Sequence, residues 1–312
     1  MAQVLNATAR TRPTLPRFAA SLLVAGLTGL FTANDASAQH ADFVLFGEPD
    51  PEAAAVPENQ QFVHPITSPF FHENTFVTTD VRVWYLYHEF SNSTLGGNVQ
   101  AAAVQLRLAL TDTLQLVAYK DGYLWFDDSV VSDHGAADLA AGLKWNFYRD
   151  IENQLSLAAG VGYQLGIGND EVLQDDDELR LWGSIDKGFD SFHVGATLNY
   201  FYPTGSEDVL GDSERISWHL HADYYVTDWF SPVVELNGYH TIDASSTTPL
   251  GFTGVDVANL GGGESQDVVT MGVGAEFRIN PDLAIRAGYE FPLTDNNDLF
   301  GDRITVSLVW SF

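Results

Sequence analysis

The strongest constraint on the fold is a strict alternation of apolar and polar residues that recurs from Asp80 to Phe312. In residues 215–226, one apolar side chain occupies every second position, and polar residues fill the positions between. A period of two places the apolar side chains on one face of a β-strand. Most of these segments are about 10 residues long, the length at which a tilted strand crosses a bilayer. The pattern therefore predicts β-strands that could span a membrane.

Twelve segments of this kind follow one another. They cover residues 80–89, 99–110, 114–125, 138–147, 154–165, 179–186, 192–202, 215–226, 230–240, 268–279, 283–291 and 303–312. The third is the least regular, and Lys120-Asp121-Gly122 predicts a β-bulge within it. Ten or fourteen strands remain alternatives if 114–125 or 179–202 is assigned differently.

The connections between the segments alternate in length. Short ones lie near 111–113, 149–153, 187–190, 227–229 and 280–282, and long ones near 91–97, 127–134, 169–177, 204–214, 243–266 and 294–301. Short turns at one end and long loops at the other are typical of outer-membrane barrels. We therefore predict an all-β fold, a twelve-stranded antiparallel transmembrane barrel with short periplasmic turns and long extracellular loops.

The placement of charge predicts which face of the strands meets lipid. Basic and acidic residues fall in the rows opposite the apolar ones, and an Arg or Lys on the lipid face costs about 2–4 kcal/mol at the bilayer centre. The polar rows should therefore face the lumen. The candidate pore-lining residues are Arg82, Arg107, Lys144, Arg180, Arg215, His219, His221, Asp223, Glu235, Glu276, Arg278, Arg286, Glu290 and Arg303.

Composition limits the partners and the chemistry that this protein can have. The formal net charge of -28 argues against nucleic acid as a partner. The absence of Cys excludes disulfides, thiolate metal sites and a cysteine nucleophile. No cofactor motif or nucleotide site is visible, so we expect no cofactor.

The N-terminal region divides into two parts. Residues 1–38 combine three Arg, a short apolar stretch and the Ala36-Ser37-Ala38 cleavage site, which predicts a secretory signal peptide rather than a membrane anchor. Residues 39–78 contain five Pro and no sustained period of apolar residues. They predict an irregular periplasmic segment before the barrel at 79–312. We favour a partly ordered tail near the periplasmic mouth; the alternative is a segment that folds back and blocks the lumen.

The C-terminal strand carries an assembly signal. Apolar residues alternate up to Trp310 and Phe312, which resembles the strand that the barrel-assembly machinery of Gram-negative bacteria recognises. Residues 275–312 also resemble the end of outer-membrane transporter-like proteins of the meta-pathway phenol-degradation family. Residues 64–85 are similar to the pre-barrel stretch of related barrels. The resemblance implies a bacterial outer-membrane channel or uptake protein.

The sequence predicts a passive, porin-like channel for small solutes, embedded among outer-membrane lipid and lipopolysaccharide. Barrels of about eight strands are filled by side chains and those of about sixteen enclose an aqueous channel, so twelve lies between. A sealed structural barrel, held by ion pairs among the same charged residues, is the first alternative.

A lipid hydrolase is the second alternative, with Ser217, His219, His221 and Asp223 as its candidate residues. Adjacent members of this set are two positions apart on one strand, about 6.6 Å, which predicts no direct contact. His219 and His221 could also bind a metal together with a carboxylate. Acidic loops at 169–178 and 207–214 could hold Ca²⁺ or Mg²⁺, although they match no calcium-loop spacing. The sequence leaves the metal undetermined.

Overall fold

The computed structural model describes residues 41–205, 213–245, 252–262, 267–296 and 298–312. Its strands form one antiparallel sheet. The strands are β1 (Asp80–Phe90), β2 (Asn98–Ala109), β3 (Leu114–Lys120), β4 (Tyr123–Asp127), β5 (His134–Ala136), β6 (Leu139–Asp150), β7 (Leu155–Leu165), β8 (Glu178–Phe189), β9 (Phe192–Pro203), β10 (Glu214–Tyr224), β11 (Phe230–Asp243), β12 (Val268–Asn280), β13 (Leu283–Pro292) and β14 (Phe300–Ser311). Because β1 pairs with both β2 and β14, the sheet closes into a barrel.

Two of the barrel strands are interrupted, so these fourteen segments make a twelve-stranded barrel. β3 and β4 both pair with β2 and together form one strand. In the same way, β5 pairs with β4 and β6 pairs with β3, so β5 and β6 together form the next strand of the barrel. The break between β3 and β4 falls at Asp121-Gly122, where the predicted bulge is confirmed. Gly122 has φ +110, and a Cβ there would overlap the carbonyl oxygen of Ala102.

The connections also follow the prediction. Short turns join β2 to β3, β6 to β7, β8 to β9, β10 to β11 and β12 to β13, and longer loops join the strands at the opposite end. The first strand begins and the last strand ends at the short-turn end, where the backbone N–H of Phe312 donates to the carbonyl of Thr79.

Helical structure is limited to short pieces. These are α1 (Pro51–Ala54) and the 3₁₀ turns Glu58–Gln60 and Asp170–Val172. None of these described helices has the length and apolarity needed to cross a membrane. The predicted signal peptide at 1–38 lies outside the described residues.

Apolar side chains cover the outside of the barrel. Leu220 and Leu308 are each 43% exposed, and Trp145 reaches 57%. In contrast, Arg82, Lys144 and Arg303 are almost completely buried inside. This inverted arrangement, with apolar groups outside and ions inside, is stable only where hydrocarbon surrounds the barrel. It confirms the predicted orientation of the two rows.

Candidate functional site

The second part of the N-terminal segment lies inside the barrel. Residues 41–46 first run along the short-turn rim, where Leu45 and Phe46 donate to the carbonyls of Ala109 and Leu110. The chain then enters the lumen at Phe62 and leaves it at Thr79, immediately before β1. We call residues 62–79 the plug; all of them are buried. The first part of the segment thus lies at the short-turn rim, as the preferred prediction has it, whereas residues 62–79 fill the lumen, as the alternative has it.

Side chains of the barrel wall hold the backbone of the plug. The carboxylate of Glu235 accepts hydrogen bonds from the N–H groups of Ile66 (2.9 Å) and Thr67 (2.7 Å). Asp223 accepts from Val63 N–H at 3.2 Å and Asp186 from Thr75 N–H at 2.7 Å. Plug carbonyls accept hydrogen bonds in turn from Arg82, Gln105, Gln115, Asn146, Arg180, Ser184, Thr197 and Asn199. These bonds replace the strand ladder that the irregular plug lacks.

The tip of the plug is Phe70-Phe71, and it packs in the long-loop half of the barrel, where the Phe71 ring lies 4.5 Å from that of Phe201. Arg180 donates to the carbonyl of Phe70 at 3.0 Å and to that of Phe71 at 2.7 Å. The Arg180 guanidinium also lies over the rings of Tyr119 at 4.7 Å and Trp182 at 4.6 Å. These contacts compensate for burial of the cation, because aromatic faces and carbonyl oxygens both attract positive charge.

Glu73 places a carboxylate of the plug between two wall cations. Its Oε1 lies 3.0 Å from Arg107, and its Oε2 lies 3.8 Å from Lys144. Burial alone would raise the pKa of Glu73, but the positive charges of Arg107, Lys144 and Arg180 more than offset this and lower it. Glu73 is therefore ionised at neutral pH and binds the plug to the wall.

A histidine cluster lies beside this contact. The ring of His72 is 5.3 Å from that of His219 and 5.9 Å from that of His221. His221 in turn bonds to Glu235 at 2.8 Å and to Asp223 at 3.1 Å. Burial lowers the pKa of His72 well below its ordinary value, so this ring is neutral when the plug is in place.

The candidate catalytic residues do make contact, contrary to the sequence prediction. Ser217 Oγ lies 2.9 Å from His219 Nε2, and His219 Nδ1 lies 2.8 Å from Asn237 Oδ1. The Cα atoms of Ser217 and His219 are two positions apart, but their side chains lean toward each other along the strand and so come within hydrogen-bond distance. However, Ser217 borders a cavity of only about 10 Å³. That space holds one water molecule and no acyl substrate.

A loop closes the opposite end of the lumen. Within residues 252–262, Asp256 pairs with Arg303 at 2.5 Å, and the carbonyl of Val255 accepts from Arg215 at 3.2 Å. The main apolar cluster of the interior lies between this loop and the tip of the plug. It contains Phe70, Phe71, Trp84, Leu86, Phe90, Val99, Leu124, Phe126, Phe201, Val255, Ala258, Leu260, Leu299 and Phe300, among others.

All predicted pore-lining residues point into the barrel. Those on the list above are buried except Arg215 and Arg278, which are partly exposed. The ion pairs among them join neighbours on the wall: Arg286 and Arg278 share Glu276, at 2.6 and 2.9 Å.

Two further ion pairs lie on the wall. Arg303 lies 3.5 Å from Glu290, and Arg215 pairs with Glu178 at 2.6 Å. Asp223 pairs with His193 at 2.7 Å. In the part of the chain that the structure describes, no three His, Asp or Glu residues are arranged to hold a metal ion.

The predicted assembly signal lies at the short-turn end. Trp310 is 53% exposed on the outer face, and its ring stacks on that of Phe312 at 5.0 Å. Recognition of these residues by the assembly machinery stays a prediction.

Several residues of the site were not predicted. Glu73, His72 and Asp256 lie outside the alternating segments, so the alternation could not place them. The apolar cluster was also missed, because Trp84 and Leu86 alternate with Tyr85 and Tyr87, and all four are apolar. One signal was present: the glycines at 272 and 288 mark the wall against which Thr67 packs.

No family model matches the sequence, and no curated protein matches it. Among solved structures, an outer-membrane channel from Pseudomonas putida F1 is similar, with a TM-score of 0.56 and 16% identity over 80% of this chain and 100% of that chain. The fold is that of an outer-membrane barrel. The NanC porin gives a TM-score of 0.47 at 10% identity, over 75% of this chain and 98% of its own. The KdgM porin gives 0.44 at 10% identity, over 74% and 99%.

Proposed function

We propose that the protein is an outer-membrane channel for small solutes whose lumen is closed, in this structure, by its own N-terminal plug. The observation that carries the proposal is the way the plug is held. It is not a continuous apolar core but an irregular segment bonded to charged and polar wall residues, such as Glu235 and Arg180. Those groups can exchange the plug backbone for water, because hydrogen bonds to water replace those to protein at small net cost.

A sealed structural barrel is the competing function, and the filled interior supports it. Lys144 and Arg303 are completely buried in the structure. The internal cavity beside Phe70 and Leu124 has a volume of about 20 Å³. Solute passage therefore requires displacement of the plug. We propose no catalytic role, since Ser217 has no space for a substrate.

Recording of single channels in planar bilayers tests this proposal. The full chain is expected to show rare openings, and a variant that lacks residues 39–74 is expected to open more often or more widely. Heat-modifiable migration on gels verifies that both proteins are folded. If neither protein conducts, the barrel is sealed; if both conduct equally, the segment does not block the channel.

A further inference from the structure

Four wall groups converge on one residue of the plug, Glu73. Arg107 Nη2 donates to its Oε1 at 3.0 Å, and Lys144 lies 3.8 Å from its Oε2. On the main chain, its carbonyl oxygen accepts from Ser184 Oγ and Thr197 Oγ1, each at 2.5 Å. The wall thus presents two cations to a carboxylate and two hydroxyls to a second oxygen close by. We call Arg107, Lys144, Ser184 and Thr197 the anion pocket.

The plug fills this pocket incompletely. Glu73 Oε2 and Arg107 Nε are both buried and without a hydrogen-bond partner. Lys144 donates to the carbonyl of Asn74 at 3.0 Å rather than to the carboxylate. The carboxylate of Asp80 lies 3.6 Å from Arg107 Nη1, too far for a hydrogen bond. A buried donor and a buried acceptor left unpaired indicate a pocket that a freely positioned ligand would satisfy better.

We infer that the anion pocket binds a solute that carries a carboxylate with a hydroxyl or carbonyl oxygen nearby, and that Glu73 occupies the place of that solute in the closed channel. The inference rests on the proposed channel function and names its substrate class. Arginine and lysine recognise carboxylates through charge-assisted hydrogen bonds, and the two hydroxyls can donate to a neutral oxygen.

This arrangement couples binding to opening. A carboxylate solute that reaches Arg107 and Lys144 competes with Glu73, and each bound solute removes a contact that keeps the plug in place. The solute therefore increases the fraction of open channels, to the extent that it binds the open state more tightly than the closed state. A neutral solute of the same size has no such preference.

Gluconate and sorbitol form a suitable pair of probes, because both are open six-carbon chains that differ only at C1, a carboxylate in gluconate and a hydroxymethyl group in sorbitol. In bilayer recordings of the full chain, gluconate is expected to increase the frequency of openings, whereas sorbitol is not. In proteoliposomes, Glu73→Gln should raise the ratio of gluconate to sorbitol uptake by about tenfold, the value of one charge-assisted hydrogen bond. Adding Arg107→Gln to the Glu73→Gln variant should abolish the preference for the carboxylate probe over the neutral one.

Glu58→Gln is the matched control, since Glu58 lies on the same N-terminal segment but outside the plug, on the exposed rim. It should leave the ratio of gluconate to sorbitol uptake unchanged. Equal uptake of the two probes by a conducting Glu73→Gln variant, or an equal response of the full chain to both, overturns the anion pocket and leaves the channel function intact. Absence of conductance in every protein, including the variant without residues 39–74, overturns the channel function itself. The recordings on the full chain do not depend on the folding of any variant.

Discussion

At the level of single residues, the sequence predicts which way a side chain points better than it predicts which residue that side chain contacts. Alternation assigned Arg303 to the interior, and it is buried there. Its main partner, Asp256, is 47 positions away on a loop that has no period. The same holds for Arg107, whose partner Glu73 belongs to the irregular segment. Strand geometry fixes where a side chain points, but long-range contacts depend on how the loops fold.

His72 should make release of the plug depend on pH. Burial is the main cause that lowers its pKa well below 6.5, and the released residue would titrate near 6.5 in water. Between these two pKa values, the released state binds a proton that the docked state does not. Docking is therefore strongest above pH 6.5 and weakens as the pH falls below it, by up to about tenfold per unit. The groups that face this ring are Glu235, His219, His221 and Arg180.

The measurement is the open probability of single channels between pH 7.5 and 5.5. The wild type should open more often as the pH falls, and His72→Phe should lose most of this response. His219 and His221 remain in both proteins, so the difference between the two isolates His72. An unchanged response in the variant would assign the titration to another group.

Arg303 should be important for stability. It pairs with Asp256 at 2.5 Å and with Glu290 at 3.5 Å, and all three side chains are buried. Arg303→Gln leaves the two carboxylates without their cation, which should cost about 3–5 kcal/mol of unfolding free energy. The control is Arg149→Gln, whose pair with Asp50 is partly exposed and should contribute less than about 1 kcal/mol. Unfolding in urea, followed by gel mobility, compares the two; equal losses would contradict the prediction.

At the level of elements, the strands were predictable because each carries its own periodic signal. The bulge before Gly122 was also predictable, since glycine there permits φ +110. The plug was recognised as irregular, but its location was not. A segment stabilised by wall side chains rather than by a ladder has no repeating pattern. Its position is indicated in the sequence by the small residues of the wall that faces it, such as Gly272 and Gly288.

The glycines of β12 and β13 should be necessary for docking of the plug. A Cβ at position 272 would lie 2.5 Å from Thr67 Cγ2, so Gly272→Val should displace the plug and increase conductance. Gly183→Val is the control, because a Cβ at that position meets no atom closer than 4.0 Å. Bilayer recordings of both variants give the answer, and an equal conductance would show that the plug adapts to the added side chain.

At the level of the whole molecule, alternation determines an inverted barrel but not whether its lumen is open. Both ends of the lumen are closed by segments that lie outside the strands: the plug, and the loop at 252–262. The two meet in one apolar cluster, where Phe70 and Phe71 of the plug join Val255 and Leu260 of the loop. The closed state therefore depends on two barriers in series that share a contact.

If the plug and the loop are barriers in series, the effects on conductance of removing each one should not add. Replacing residues 252–262 by a short glycine-serine linker should change conductance little while the plug remains, because Glu235 and Arg180 still hold it from the wall. The variant without residues 39–74 already opens more often, because the loop loses Phe70 and Phe71 as packing partners. The same replacement in that variant should increase conductance further, since no barrier is then left. Single-channel conductance of the four proteins tests this. Because parallel pathways give effects that add and serial barriers do not, equal increments in both backgrounds would mean that solutes bypass the shared cluster.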